Sequence, residues 1–244
     1  MDTAEVAKLC ALEDRHWWYA ARRGVLHREA AAVAAARGGP GRALDVGAAG
    51  GGNTRVLAQL GWAAVAVEQD EPAAAVARHR QAAVARSDAV RLPVALASMD
   101  LVIAMDVLEH LDDDRAAMVA WAATLAPGGR LLVTVPADPA LWSAHDVAVG
   151  HRRRYVAVEL RALAEAAGLS VLDLWSWNVA LRPAIAWRRR VSKGSDLEHV
   201  PAPLNLALRA VVEAERLVRP MRRWPGVTLV LTAVRRPGPG QGPR

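Results

Sequence analysis

Ala43-Leu44-Asp45-Val46-Gly47-Ala48-Ala49-Gly50-Gly51-Gly52-Asn53 is an apolar run that closes on small residues and then turns polar. It predicts a short buried strand over 42–46, and Asn53 to Leu60, stopped by Gly61, predicts a helix. Small residues at the junction let the backbone take positive φ and approach a ligand closely. The N–H groups at a helix start are free to bind a carboxylate or phosphate. In an open α/β sheet, ligands lie at the carboxyl ends of the strands, where this junction falls. Gly47, Ala49 and Gly52 also read as a degraded G-x-G-x-x-G turn.

Working outward, strands and helices alternate. Helices are expected over 3–12 and 17–37, the second ending at Gly38-Gly39-Pro40. Strands are expected over 63–67, 83–86, 99–104, 130–135 and 169–177, with helices over 72–82, 113–125 and 158–167 between them. Pro127-Gly128-Gly129 reads as a turn. A last strand over 226–234 follows a long helical stretch. The pattern predicts an α/β fold: a Rossmann-like, doubly wound seven-stranded sheet with helices on both faces, mostly parallel with an antiparallel final strand. Its expected parts are a helical lid over 1–39, a core over 40–178, a helical insertion over 179–225, the final strand over 226–236 and a disordered tail over 237–244.

Composition narrows the function classes. The single cysteine, Cys10, excludes an internal disulfide framework and a cysteine-rich metal site, and fits a cytoplasmic protein. The opening MDTAEVAKLC lacks the basic and apolar regions of a signal peptide, and no apolar run reaches the length of about 18 residues that spans a membrane. Net charge is +6, with arginines gathered late in the chain, including Arg188-Arg189-Arg190. No nucleic-acid-binding signature accompanies them, so a solvated face is expected rather than a nucleic-acid partner. Asp112-Asp113-Asp114 reads as a helix cap and first-turn charge, and no metal site is expected.

Three further segments carry chemistry. Glu68 ends Val65-Ala66-Val67-Glu68, where an acidic side chain can bind ribose hydroxyls. Ser87-Asp88-Ala89 follows the third strand, where a carboxylate can accept from an adenine amino group. Met99-Asp100-Leu101-Val102-Ile103-Ala104-Met105-Asp106-Val107-Leu108-Glu109-His110-Leu111 is a strand running straight into a short helix. As an ordered set over residues 40 to 135, these resemble class I S-adenosylmethionine (SAM)-dependent methyltransferases. The resemblance implies SAM as cofactor and S-adenosylhomocysteine as product. It places Asp45, Gly47, Ala48 and Gly51 around the methionine part, with Ala49 and Asn53 on the same turn. Glu68 with Gln69 would meet the ribose, and Asp88 with Ala89 the adenine. Met105, Asp106 and Val107 would line the cofactor and the substrate mouth. Ala49 stands where the family pattern has its middle glycine.

Flanking motifs extend the match. His16-Trp17-Trp18-Tyr19-Ala20-Ala21-Arg22-Arg23, Leu141-Trp142-Ser143-Ala144-His145-Asp146 and Gly150-His151-Arg152-Arg153-Arg154-Tyr155 resemble a bacterial methyltransferase subgroup, whose substrates are mostly unassigned. Trp17, Trp18 and Tyr19 could close over SAM as a lid, with Arg22 or Arg23 pairing its carboxylate; an amphipathic helix docked on the sheet is the plainer use. His145 and His151 are candidate general bases, and a loop held by hydrogen bonds is the alternative for His151. His110 reads as a helix-positioning residue, and His27 and His79 as surface residues. The insertion could cap the substrate, form a homodimer face, or rest on a membrane as a basic amphipathic helix. The expected reaction is methyl transfer to an oxygen, nitrogen or carbon of a small molecule, or of a glycan- or lipid-linked acceptor, in secondary or cell-envelope metabolism. A non-methylating enzyme of the same fold, such as a cyclase, and a nucleotide-dependent oxidoreductase are the alternatives.

Overall fold

The computed structural model describes residues 10–191, 200–215 and 217–236. The expected tail over 237–244 and most of the expected helix over 3–12 lie outside them. Seven strands form one sheet: β1 (Arg42–Val46), β2 (Ala63–Glu68), β3 (Ala83–Arg86), β4 (Met99–Met105), β5 (Leu125–Pro136), β6 (Leu169–Trp177) and β7 (Thr228–Arg235). The order is β3-β2-β1-β4-β5-β7-β6. β7 runs antiparallel to both β5 and β6, and the remaining pairs are parallel. The sheet is the Rossmann-like one expected, closed by an antiparallel last strand.

The helices are α1 (Trp17–Arg37), α2 (Gly52–Gln59), α3 (Glu71–His79), α4 (Asp114–Thr124), α5 (Ala144–Ala148), α6 (Ala157–Ala166), α7 (Arg182–Val191) and α8 (Ala202–Glu215). Their ends follow local chemistry. α1 stops at Gly38, whose φ of 82° places it in the left-handed region that glycine enters freely. Asp70 caps α3 by accepting from the Ala73 N–H at 3.0 Å, and Asp113 caps α4 by accepting from Ala116 N–H at 2.8 Å. The acidic run thus includes the cap that its position suggested.

Two apolar clusters sandwich the sheet. One joins β1, β4, β5 and β7 to Met118 and Trp121 of α4 and to Leu160 and Ala164 of α6. The other joins Val25, Leu26 and Val33 of α1 and Leu57 of α2 to Leu101, Ile103, Leu132, Trp175 and Trp177, and includes Val212 of α8. Trp121 and Trp177 are wholly buried. Each removes about 200 Å² from water, worth roughly 5 kcal/mol on transfer. α1 is therefore a packed layer of the fold.

Two readings of the sequence need correction. The expected turn at Pro127-Gly128-Gly129 lies inside β5. Met99 pairs with Leu125 and Leu101 with Arg130, so the strand absorbs the intervening residues as a bulge, with Gly128 at φ 78°. The loop after β5 also contains a short helix, α5. It is held by a reciprocal cap between Ser143 and Asp146, which the sequence reading passed over.

Candidate active site

The carboxyl ends of β1, β2 and β4 open into a cavity of about 650 Å³. Its first wall is the turn after β1. Gly47 has φ 66°, and a Cβ there would lie 2.6 Å from Val107 Cγ2. Only glycine fits both the conformation and the space. The Gly47 and Ala48 N–H groups donate to Val67 O at 2.9 and 3.1 Å, which pins the turn to β2. Ala49 is left-handed at φ 47°. An alanine there costs about 1 kcal/mol. The Ala49 N–H donates to Glu68 Oε2 at 2.8 Å, and Glu68 Oε1 accepts from the Asp70 N–H at 2.8 Å. Glu68 thus locks the turn after β1 to the start of α3. Each of its oxygens keeps a lone pair for a ligand hydroxyl.

A buried ion pair forms the second wall. Arg22 of α1 donates from Nη1 to Asp106 Oδ2 and to Met105 O, the latter at 3.3 Å. Asp106 is itself left-handed at φ 59° and accepts from Thr134 Oγ1 at 2.9 Å. Arg22 Nε is buried without a hydrogen-bond partner among the described residues. The guanidinium lies 5.3 Å from the centroid of the Tyr19 ring. Burial pushes the Tyr19 hydroxyl far above its usual range, so it stays a neutral donor. Trp18 packs against Trp177 with centroids 5.4 Å apart.

The third wall is built from the short 3-10 helix Leu108–His110 and the loop around α5. His151 Nδ1 lies 2.8 Å from Asp146 Oδ1, and its Nε2 lies 3.7 Å from Glu109 Oε1. Asp146 is wholly buried, yet its carboxyl sits below the usual range. Burial works to raise it, and the His151 and Ser143 hydrogen bonds with the charge of Arg189 outweigh that. Glu109 is also wholly buried, and burial, reinforced by Asp106, pushes its carboxyl well above the usual range. Burial, reinforced by His151, lowers His110 to about 4. The His145 and His110 rings flank His151, with centroids 6.0 and 4.8 Å away. Leu181, Ile185, Arg188 and Arg189 of the α7 region and Leu204 and Leu208 of α8 complete the lining.

The cavity lining brings together Trp18, Tyr19, Gly47, Ala48, Ala49, Asn53, Glu68, Gln69, Ala89, Met105, Asp106, Val107, His145 and His151 from the sequence-based candidates. Four candidates fall outside it. Asp88 accepts from the Val90 N–H on Oδ1 at 2.6 Å in a local turn and lies outside the lining. Arg23 is one residue, about 100°, around α1 from Arg22, and it faces the charges of Glu13 and Asp14. Asp45 is buried behind the turn, where Oδ2 accepts from Thr54 Oγ1 at 2.6 Å and Oδ1 has no partner among the described residues. Gly51 starts α2 at φ 79°, with a Cβ position 3.0 Å from Ala77 Cβ.

The sequence and the fold are similar to those of known proteins. The model of a methyltransferase domain family matches residues 17–174, more than half of the chain. The chain belongs to the methyltransferase family. A curated relative is a probable SAM-dependent methyltransferase of Mycolicibacterium smegmatis, 28% identical over 166 residues. That match covers 66% of this chain and 63% of the relative, so the chain spans less than two thirds of the relative's length. Among solved structures, it resembles the chain bound by the Trm112 methyltransferase activator of Haloferax volcanii, at 20% identity, 96% of each chain and a TM-score of 0.64. A SAM-dependent methyltransferase of Archaeoglobus fulgidus matches at 16% identity, 81% of this chain and 87% of that one, with a TM-score of 0.57. The SAM complex of Haemonchus contortus phosphoethanolamine N-methyltransferase 2 matches at 18% identity, 81% and 49% coverage, and a TM-score of 0.57.

Within this member of the methyltransferase family, several lining residues carried no chemical role in the sequence reading. His16 caps α1, accepting from the Trp18 N–H on Nδ1 at 3.3 Å, while its buried Nε2 has no partner among the described residues. Glu13, Asp70 and Arg154 also reach the lining. Arg154 Nε donates to Asp146 Oδ1 at 2.9 Å. No spacing rule links residues 13, 16 and 154 to the glycine turn. Only the packing of α1 across the strand ends and the return of the loop after β5 bring them there.

Proposed function

We propose that this chain transfers the methyl group of SAM to an oxygen, nitrogen or carbon nucleophile of a small molecule. The observation that carries the reading is one continuous cavity. It runs from the glycine turn and Glu68 to the histidines after β5, and its size suits a cofactor with a small acceptor. The Gly47 position supports a close backbone approach, since a Cβ would collide there. SAM supplies an electrophilic methyl on a sulfonium. Glu68 and Gln69 hold the ribose end, Ala89 flanks the adenine, and Arg22, which lines the cavity where Arg23 does not, takes the methionine carboxylate. Met105, Asp106 and Val107 separate this end from the acceptor. Trp18 and Tyr19 form a wall that excludes water. Catalysis comes mainly from holding nucleophile and methyl in line, an effect worth about 7–11 kcal/mol at its best.

The acceptor lies under the insertion, between Leu181, Ile185, Leu204 and Leu208 on one side and His145 and His151 on the other. We place the chain in the bacterial subgroup marked by the His16–Arg23 and Gly150–Tyr155 motifs. Acceptors from secondary or cell-envelope metabolism are the first to test. A lipid-linked acceptor met at a membrane surface is a second reading. It is favoured by Trp187, Leu206 and Leu217, exposed at 68%, 68% and 85% beside the basic α7. Flotation with anionic vesicles tests it.

Calorimetry with SAM tests the central reading. Wild type binds one equivalent, and Gly47→Arg binds none because its side chain fills the cavity mouth. Binding that survives this substitution moves the cofactor elsewhere. Release of S-adenosylhomocysteine with a candidate acceptor separates methyl transfer from a non-methylating use of the fold.

A further inference from the structure

We propose that Glu109, His110 and His151 bind one divalent transition-metal ion at the acceptor end of the cavity. One ligand atom from each of the three lies within 4.8 Å of the others. All three residues line the cavity.

Hydrogen bonding fixes the tautomers in the form a metal requires. Asp146 Oδ1 accepts from Arg154 Nε at 2.9 Å and sits in an ion pair with that guanidinium, so it acts as an acceptor toward His151 Nδ1, 2.8 Å away, which carries the proton. A carbonyl also only accepts, so His110 Nδ1, 3.1 Å from Gly150 O, carries a proton too. Both rings therefore present a bare Nε2 lone pair. A ligating imidazole is held the same way, by a carboxylate or carbonyl on its other nitrogen.

Glu109 supplies the independent observation. It is wholly buried, and neither of its carboxylate oxygens has a hydrogen-bond partner among the described residues. A buried carboxyl with no partner on either oxygen is costly, and a bound cation is one of the few things that repays it. His151 Nε2 and Glu109 Oε1 face each other across 3.7 Å, too long for a hydrogen bond. Two metal bonds of about 2.1 Å meeting at roughly 120° span that gap; because two such bonds reach about 4.2 Å at most, ligand atoms as far apart as 4.8 Å draw in by about 0.6 Å on binding. The frame is prepared as well. The Arg152 N–H donates to Glu109 O at 2.8 Å, and Arg152 Nε donates to His110 O at 2.9 Å. These bonds tie the loop carrying His151 to the short helix carrying the other two ligands.

Two imidazoles and one carboxylate suit Zn²⁺, Mn²⁺, Co²⁺ or Ni²⁺ better than Ca²⁺ or Mg²⁺, which favour oxygen ligands. Three protein ligands leave coordination positions open toward the cavity, the arrangement of a catalytic rather than a structural site. An acceptor hydroxyl completing the coordination would be polarised and held before the methyl. This last step rests on the proposed methyl transfer, and the metal site does not. It departs from the sequence expectation of no metal. That expectation weighed the lone cysteine and the acidic run at 112–114, while the ligands come from 109, 110 and 151.

Chelator-treated protein is titrated with Mn²⁺ by electron paramagnetic resonance and with Zn²⁺ by calorimetry. One saturable site per chain is expected. Glu109→Gln and His151→Gln should each weaken it at least tenfold, and Asp146→Asn by 10–100-fold through His151. Circular dichroism confirms that each variant is folded, and His110→Gln replaces any that is not. SAM affinity should stay within about twofold in Glu109→Gln. No saturable binding by folded wild type, or equal binding by the folded variants, overturns the site. Metal binding without SAM binding would instead sink the methyl-transfer reading and leave the site standing.

Discussion

Gly47→Ala places a methyl group where the structure has no room for it. The new Cβ would lie 2.6 Å from Val107 Cγ2 and 3.1 Å from Cγ1, on a residue at φ 66°. The left-handed backbone costs about 1 kcal/mol for alanine. Relieving the overlap costs a further 1–3 kcal/mol, because Val107 is buried and β-branched and has few rotamers to escape into. A total loss of roughly 2–4 kcal/mol is expected, with at least tenfold weaker SAM binding. The two parts can be separated. Val107→Ala removes both clashing carbons, so the double variant should recover the steric part and keep the backbone part. Urea denaturation of wild type, both single variants and the double variant closes the cycle. A favourable coupling of about 1–3 kcal/mol is expected. If the costs add within about 0.5 kcal/mol, Val107 does not roof the turn and the cradle is drawn wrongly.

Arg22→Met strips the Asp106 carboxylate of its cation and should lower stability on the order of 3 kcal/mol by denaturant midpoint, with SAM binding lost in calorimetry; unchanged stability would mean the pair is not formed. Ala49→Gly relieves a left-handed alanine and should keep SAM affinity while raising the melting temperature slightly, and a lower one would show that the strain is absent. Burial raises the Asp45 carboxyl from 3.8 to about 7, with Thr54 and Arg22 opposing. The unfolded chain then releases this proton earlier than the folded one, so stability falls as pH rises from about 4 to 7 and levels off above. The loss is on the order of 4 kcal/mol. Asp45→Asn should abolish this share of the slope in urea melts at pH 5 and 7.5, and an unaltered slope would show Asp45 ionised in the fold.

The glycine turn and the strand–helix alternation were legible because they are local. Positive φ at Gly47 and burial along β1 each follow from a few adjacent residues. Ala49 shows the limit of that reading. The missing glycine suggests a changed backbone, yet the chain keeps the left-handed conformation and holds it with Glu68, nineteen positions away. Arg22 and Arg23 show the same limit at finer scale. Both suit a carboxylate chemically, and only the rotation of α1 against the sheet decides between them. Asp88 follows β3 as expected, but its Oδ1 joins a local turn with the Val90 N–H, and the residue lies outside the cavity lining. The histidine wall was half legible: His145 and His151 stood out by type, while Glu109 gained meaning only once burial left it unpartnered.

The insertion is not an independent lid laid over a finished domain. Asn205 of α8 accepts from the Trp17 N–H at 2.7 Å and donates to Arg15 O at 3.0 Å, so it ties down the start of α1. Glu215, at the other end of α8, accepts from the Ala180 N–H at 3.0 Å, just after β6. Val212 between them is wholly buried against the core shared with α1. The helix that contributes Leu204 and Leu208 to the cavity lining is thus fastened to the helix that carries Trp18, Tyr19 and Arg22. A motion that lifts α8 from the cavity must strain the Asn205 bonds or carry α1 with it, which would loosen the wall formed by Trp18, Tyr19 and Arg22 at the same time. Asn205→Ala separates these cases. It leaves the lining untouched, since Asn205 is not part of it, and removes the tie. Amide exchange should then rise at the start of α1 along with α8, and SAM should dissociate faster. Faster exchange in α8 alone, with α1 as protected as before, would show that the two walls move separately.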